Sequence, residues 1–394
     1  MKTLEDAQNI VLNQSKSFGI EKVSIEDVCG RVLAEDIVAD RDYPPFNRAA
    51  MDGVAIRFED NEQTDFVLVE TLFAGQEAKQ QIEEGECYRI MTGAAVPDSA
   101  DVVIRIEDVL IDKKNVKVTI QGSAKWLNIA RQGEDAREGS VVLSKGTLVS
   151  TVDVTTLASL GYSEVLVAKL PTVTIITTGD EIKGVDQKVL PFQIRDSNSN
   201  TLKAFLSNYK INKVNAFRVA DDKEKLQQAI EKGLSSDILI LTGGVSMGEA
   251  DFVPELLEKN SVEKLFHKVA IKPGKPIWVG RSSHTIVFGL PGNPLSCQVN
   301  FLLFIESFLR ESFGLAQKKM IELPITKEKN KRNQLDVFYP SKIVYEKGIE
   351  IEPLVFNGSG DIRATIGSDG VILHSAKQEM LSKGDSVSFL KWSI

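Results

Sequence analysis

Chemistry in this chain gathers where short apolar runs break into glycine turns, two of which carry acids. TTGDE (177–181) follows the apolar run 173–176, and TGGVSMGEAD (242–251) follows 237–241. GLPGNP (289–294) follows 285–288 and leads into a helical pattern. Glycine lets backbone approach a ligand, and the N–H groups of such loops and of helix N-termini bind phosphate-like anions. Carboxylates beside a bound anion are repelled by it unless a cation lies between. Glu181, Asp180 and Asp251 near a phosphate therefore imply Mg2+, which joins one or two carboxylates to substrate phosphates. The same acids also read as turn formers and caps, a common use of Asp, and both readings stay open at this point.

A different kind of chemistry is offered by KVAIKPGKP (268–276), where prolines hold the chain extended and Lys268, Lys272 and Lys275 present point charges to oxyanions. A solvated strand edge is the plainer alternative. Further forward lie three dense loops: YPPFNRAAMDG (43–53), MTGAAVP (91–97) and RQGED (131–135). A double proline followed by an Asp-Gly pair exceeds what a simple hairpin needs. The second loop opens with a hydroxyl beside glycine, and the third puts both charge signs on one turn.

Several chemistries are excluded. Gly274-Lys275 is followed by Pro276, so there is no GxxxxGK[ST] phosphate loop, and no GxGxxG follows the first apolar run. The three cysteines (Cys29, Cys87, Cys297) are far apart, and only three histidines exist, which argues against a zinc site or a disulfide framework. A net charge of −8 speaks against a nucleic-acid partner. The basic run 327–332 reads as a solvated linker.

The elements that must hold these loops follow from pattern. A chain of 394 residues is long enough for roughly two to four domains. Ala7, Ile10 and Val11 mark a helix over about 4–17. From 23 to about 145 short β-rich runs alternate with turns, for example 66–69 and 116–120. Residues 151–160 return to helix, with Gly161 at the cap. In the middle third, buried apolar strands alternate with helices, notably 222–231 with Asp222 as N-cap and Gly233 just past its end. That alternation predicts a parallel α/β sheet. After about residue 321 strands and turns return as a small terminal β-domain. No leader-like or membrane-length apolar segment is visible, so the expected location is cytoplasmic, with no membrane partner.

Taken in order, PPFNRAAMDG (44–53), IMTGAAVP (90–97), RQGED (131–135), TTGDEI (177–182), TGGVSMGEAD (242–251), IKPGKP (271–276) and LPGNP (290–294) resemble the motifs of the molybdopterin molybdenumtransferases, the MoeA proteins and the gephyrin E-domain. The resemblance spans essentially the whole chain. Family members often carry Asp-Asn-Ser where this chain has Asn47-Arg48-Ala49, and often Tyr where it has Val54.

The resemblance implies a multidomain α/β plus β fold. A molybdopterin-binding α/β domain with a parallel sheet is expected over 1–19 and 169–319, and a linker domain over 20–38 and 140–168. A β-rich inserted domain is expected over 39–139 and a C-terminal β-barrel over 320–394. It further implies insertion of molybdenum from molybdate into adenylylated molybdopterin with release of AMP, dependent on Mg2+ or a similar divalent ion. The enzyme would be a homodimer whose active site is shared between chains. Carried residue by residue, Glu181 and Asp251 would hold the metal or the pterin end, with Asp221 or Asp180 in support. Gly243, Gly244, Val245 and Ser246 would cradle phosphate, beside Pro291 and Pro294. Lys268, Lys272 and Lys275 would neutralise molybdate and the pyrophosphate link. Asp52, Thr92, Arg131 and Asp135 would complete the site from the partner chain. Rival readings are the single-domain adenylylating enzyme, a synaptic-type scaffold and a phosphate sensor. The first would lack the MDG segment (51–53) and the flanking β-domains, the second predicts extra fused domains, and the third would not need the Asp52 loop.

Overall fold

The computed structural model describes residues 1–244, 252–345 and 348–392. They form two compact units. One comprises Met1–Ala34, Gly146–Thr151 and Glu164–Ile394, and the other Glu35–Lys145 and Val152–Ser163.

The first unit is built on a six-stranded sheet. Its spatial order is Val214–Val219, Val173–Thr178, Ile238–Thr242, Ile286–Leu290, Trp278–Arg281 and Glu263–His267. The first four strands are parallel, as the buried apolar runs predict, and Ile175, Ile240 and Phe288 sit side by side in one row. The sheet as a whole is mixed, because Trp278–Arg281 runs antiparallel to both of its neighbours, Ile286–Leu290 and Glu263–His267. Only four residues separate Arg281 from Ile286, and a parallel crossover needs about a dozen.

Helix Lys223–Gly233 starts at Asp222, whose carboxylate accepts the N–H of Lys225. Leu226, Ala229 and Ile230 turn inward. Gly233 is the last helical residue, not the residue past the end. It is small because a Cβ there would stand 2.7 Å from the Leu239 side chain. The N-terminal helix, Leu4–Leu12, buries Leu4, Ala7 and Val11 in the same core as Phe308 and Leu309. It stops five residues short of the expected end, since 13–17 (NQSKS) supplies nothing apolar to bury. Ile20–Ser24 pairs antiparallel with Glu164–Ala168 along its full length.

A second sheet in this unit runs Ile271–Lys272, Asp336–Val344, Gly370–His374, Ser386–Lys391, Ile321–Pro324, with Glu350–Pro353 beside the long strand. Phe338, Ile372 and Phe389 are buried in it. Here the expectation for 327–332 is overturned. Lys329–Asn330 pairs with Met380–Leu381, and Lys331 is buried. Charge alone suggested a linker, but the segment contributes backbone to a ladder, which a side-chain pattern does not report.

The other unit carries a six-stranded sheet in the order Val102–Arg105, Gly53–Ile56, Glu86–Ile90, Asp65–Leu72, Asn115–Val118, Val109–Asp112. Alternate side chains feed two cores, one containing Ala55, Tyr88 and Val103 and the other Val54, Cys87 and Ile104. Helix Asp153–Ser159 is followed by Gly161 at φ +78, in keeping with the expected cap. Among the described residues no helix is long and apolar enough to cross a membrane.

Candidate active site

The carboxyl ends of three parallel strands bring the first set of loops together, where open α/β sheets bind ligands. Gly243 donates its N–H to the Leu290 carbonyl at 3.2 Å, so the second and third glycine turns are in direct contact. Only glycine fits there: φ is +93, and a Cβ would lie 2.4 Å from the Thr178 carbonyl oxygen. Thr178 donates its hydroxyl to Asp221 at 2.7 Å, and Asp221 donates its N–H to the Asp180 carboxylate at 3.1 Å. The Glu181 carboxylate folds over Gly179, 2.8 Å from where a Cβ would be. These acids offer hard oxygen donors, the set that suits Mg2+, which needs only one or two carboxylates. Among the described residues no group of three or more ligands is closed. Val245, Ser246 and Asp251 lie outside the described residues.

A cavity of about 790 Å³ has Pro291 and Asn293 of the 290–294 loop in its wall. Lys272, Lys275, Pro291, Asn293, Ser296, Lys331, Arg332 and Ser359 are among its walls. No carboxylate lines it among the described residues, and none of its four cations is in an ion pair there. The lysine segment is positioned from two directions. Ile271–Lys272 pairs with Asp336–Val344 of the second sheet. Asn300, fully buried in the helix after LPGNP, donates its side-chain amide to the Gly274 carbonyl at 3.1 Å. Asn293 donates to the Ser359 hydroxyl at 3.0 Å and closes one rim. Pro294 opens helix Pro294–Asn300, where a missing N–H costs nothing. Lys268 is not part of the wall; it sits at φ +71, donating its N–H to Ile277.

In the other unit, backbone bonds join the three dense loops. Gly93 donates to Ala49, Ala49 to Ala94 and Val96 to Asn47. Strand Ile129–Ala130 pairs with Arg48–Ala49, and Gln132 donates its N–H to the Asn47 side chain at 3.0 Å. Arg131 gives its N–H to the Glu134 carboxylate, while Asp135 donates its own to Tyr43. The Asp52 carboxylate accepts both the hydroxyl and the N–H of Thr92, at 2.6 and 2.7 Å. Those bonds, the hydroxyl first, hold its pKa below the usual carboxylate value. Thr92→Val therefore raises the Asp52 pKa toward its ordinary value, read by NMR titration. A depressed folded pKa adds stability above the unfolded pKa, and that stability is lost as pH falls through the folded value, below about 4. An unmoved titration midpoint in the variant would show that the hydroxyl does not hold the carboxylate.

Comparison with known proteins turns this geometry into a family assignment. Residues 2–161 match the family described as MoeA N-terminal region (domain I and II), and 174–311 match the probable molybdopterin binding domain. The molybdopterin molybdenumtransferase of Staphylococcus epidermidis is 33% identical over 383 residues, covering 94% of this chain and 91% of the relative. The chain belongs to the molybdopterin molybdenumtransferase family. Its place is thus in molybdenum cofactor biosynthesis. The Synechocystis molybdopterin molybdenumtransferase is 32% identical over the full length of both chains. The crystal structure of the molybdopterin biosynthesis moeA protein from Pyrococcus horikoshii superposes with a TM-score of 0.85 at 28% identity, covering 99% of this chain and 100% of that one. A single-domain relative of the adenylylating kind would not match along the whole chain.

Sequence reading missed several residues that structure brings to these loops. Asn198, nearly buried, donates to the Thr242 hydroxyl at 2.8 Å and the Gly292 carbonyl at 2.7 Å, tying two glycine turns together. Asp196 holds the hydroxyl of Ser199 beside it. The polar run DSNSN (196–200) was the available signal. Arg332 lay in the basic run 327–332, which charge pattern alone assigned to a linker, and Ser296 and Ser359 had no signal. The buried thiols Cys87 and Cys297 are pushed up to about 12 by burial, so neither is a thiolate near neutral pH.

Proposed function

We propose that the chain inserts molybdenum from molybdate into adenylylated molybdopterin and releases AMP, in the presence of Mg2+ or a similar divalent ion. The observation that carries this reading is the cavity, which gathers four cations and no carboxylate among its described walls. In a chain where acids outnumber bases 55 to 47, such a wall is a receptor for a small oxyanion. Lys272 and Lys275 hold molybdate there through charge-assisted contacts. Across the 290–294 loop, Gly243, Gly244, Val245 and Ser246 cradle the phosphate with backbone N–H groups. Glu181 and Asp251 hold the divalent ion, with Asp180 or Asp221 in support. Bound there, the ion supplies positive charge that offsets that of the phosphate oxygens. Lys268 neutralises the pyrophosphate link, and Pro291 and Pro294 shape the loop between the two ends.

Asp52, Thr92, Arg131 and Asp135 complete the site from the partner subunit of a homodimer. The division into domains at 1–19 with 169–319, 20–38 with 140–168, 39–139 and 320–394, the last a β-barrel, belongs to the same proposal. So does a cytoplasmic location.

The test is molybdate dependence. Lys272→Ala raises the molybdate concentration needed for half-maximal AMP release by about tenfold or more, since charge-assisted contacts contribute roughly 1.5–3 kcal/mol. Lys272→Arg restores only part, because a planar fork replaces a compact charge. An unchanged molybdate dependence in the alanine variant makes this lysine structural and removes molybdate from the cavity.

A further inference from the structure

Two of the four cavity cations come from the segment that its charge pattern assigns to a linker. Lys331 is only 8% exposed. Its ammonium donates to the carbonyls of Asn333 at 3.1 Å and Leu335 at 3.0 Å. Its own N–H donates to Glu379, and the preceding Asn330 pairs with Met380. Burying an ammonium with only carbonyl acceptors is costly. What the cost maintains is a fixed turn over 331–335, held at its start by a strand ladder. The exposed residue this turn carries into the cavity wall is Arg332. Arg332 has neither an ion pair nor a side-chain hydrogen bond among the described residues, and its guanidinium is charged at any physiological pH.

We propose that Arg332 is a third cation on the molybdate, and that Lys331 is the positioning residue fixing the turn that presents it. The inference rests on the reading of the cavity as the molybdate site. Lys272 and Lys275 are compact charges that attract any anion. A guanidinium adds two parallel N–H donors whose spacing matches two oxygens of one tetrahedral oxyanion. Three cations on one anion favour dianions, sulfate included, over monoanions such as nitrate.

Calorimetric titration of the full chain with sodium molybdate, in chloride buffer, tests this without recourse to turnover. Arg332→Ala weakens molybdate binding by about tenfold or more, and Arg332→Lys recovers part of the loss. Sulfate competes with molybdate in the wild type, whereas nitrate does not. Lys331→Met weakens binding too, but the double variant is no weaker than Arg332→Ala alone, because both changes remove one contact. Additive losses overturn the positioning role of Lys331. Arg332 is exposed, so its variants keep the wild-type melting temperature. If Lys331→Met does not fold, the Arg332 pair decides alone. Wild-type affinity in Arg332→Ala, with binding lost in Lys272→Ala, removes Arg332 and leaves the cavity reading intact. Wild-type affinity in Lys272→Ala as well, or no binding by the wild type, removes the cavity reading and this inference with it.

Discussion

Mixing Asp52→Ala chains with Asp251→Ala chains, after denaturation and refolding, restores about a quarter of wild-type activity, although each parent is inactive. The result follows if the chain forms the proposed two-fold symmetric dimer with a shared site and pairs at random. Half of the dimers are mixed, and each of these collects both changes in one cleft and leaves its other cleft wild type. The motivation lies in two constellations that are each complete in themselves. Thr92 fixes Asp52 with two hydrogen bonds inside one unit. The glycine turns and the cation-lined cavity are assembled wholly inside the other. Asp52 is thus a carboxylate held in one orientation on an exposed residue, open to a ligand. If one chain supplied the whole site, every cleft in the mixture would carry one change, and the mixture would stay as inactive as its parents.

Asp251→Asn abolishes AMP release while leaving the melting temperature unchanged. Strand Ile238–Thr242 runs out at the same sheet edge as Val173–Thr178, which leads to Glu181. Asp251 closes the motif that leaves that edge, and asparagine keeps its size while removing its charge. A divalent ion bridging carboxylates to a phosphate depends on that charge. Charge is the only property changed, so the loss is expected in the reaction and not in the melting temperature. Full turnover that remains sensitive to EDTA in the variant would take Asp251 out of the proposed metal site.

The two kinds of structure differed in how plainly the sequence announced them. The strands around Ile175, Ile240 and Phe288 were legible because burial on both faces leaves largely apolar runs, and Gly243 was legible because its φ of +93 admits little else. Asp222 declared its helix through its cap. What stayed hidden depends on pairing between distant segments. Nothing in Trp278–Arg281 says that it runs antiparallel; the short connection to Ile286 decides that. Nothing in IKPGKP says that Ile271 will pair beside Asp336, which brings the lysine segment to the second sheet. Lys331 looked like surface charge because its partners are carbonyls, which every residue possesses. The motif residues Asp52 and Thr92 were legible as types, but the bond between them was not.

The pairing of Ile20–Ser24 with Glu164–Ala168 sets an order of events during synthesis. Residues 20–24 leave the ribosome about 140 residues before their partner strand, at roughly 5–20 residues per second. Helix Leu4–Leu12 waits longer still, since its apolar face packs with Phe308 and Leu309. Meanwhile the unit of Glu35–Lys145 and Val152–Ser163 holds every strand of its own six-stranded sheet and can fold once its second segment has emerged. The nascent chain therefore carries a finished body flanked by an unfinished one, with Leu4, Ala7 and Val11 uncovered until translation is nearly over. Closing so long a loop adds little entropy cost over a shorter one. The exposure lies in the delay, and a chaperone that shields those first residues would be needed most when ribosomes move slowly.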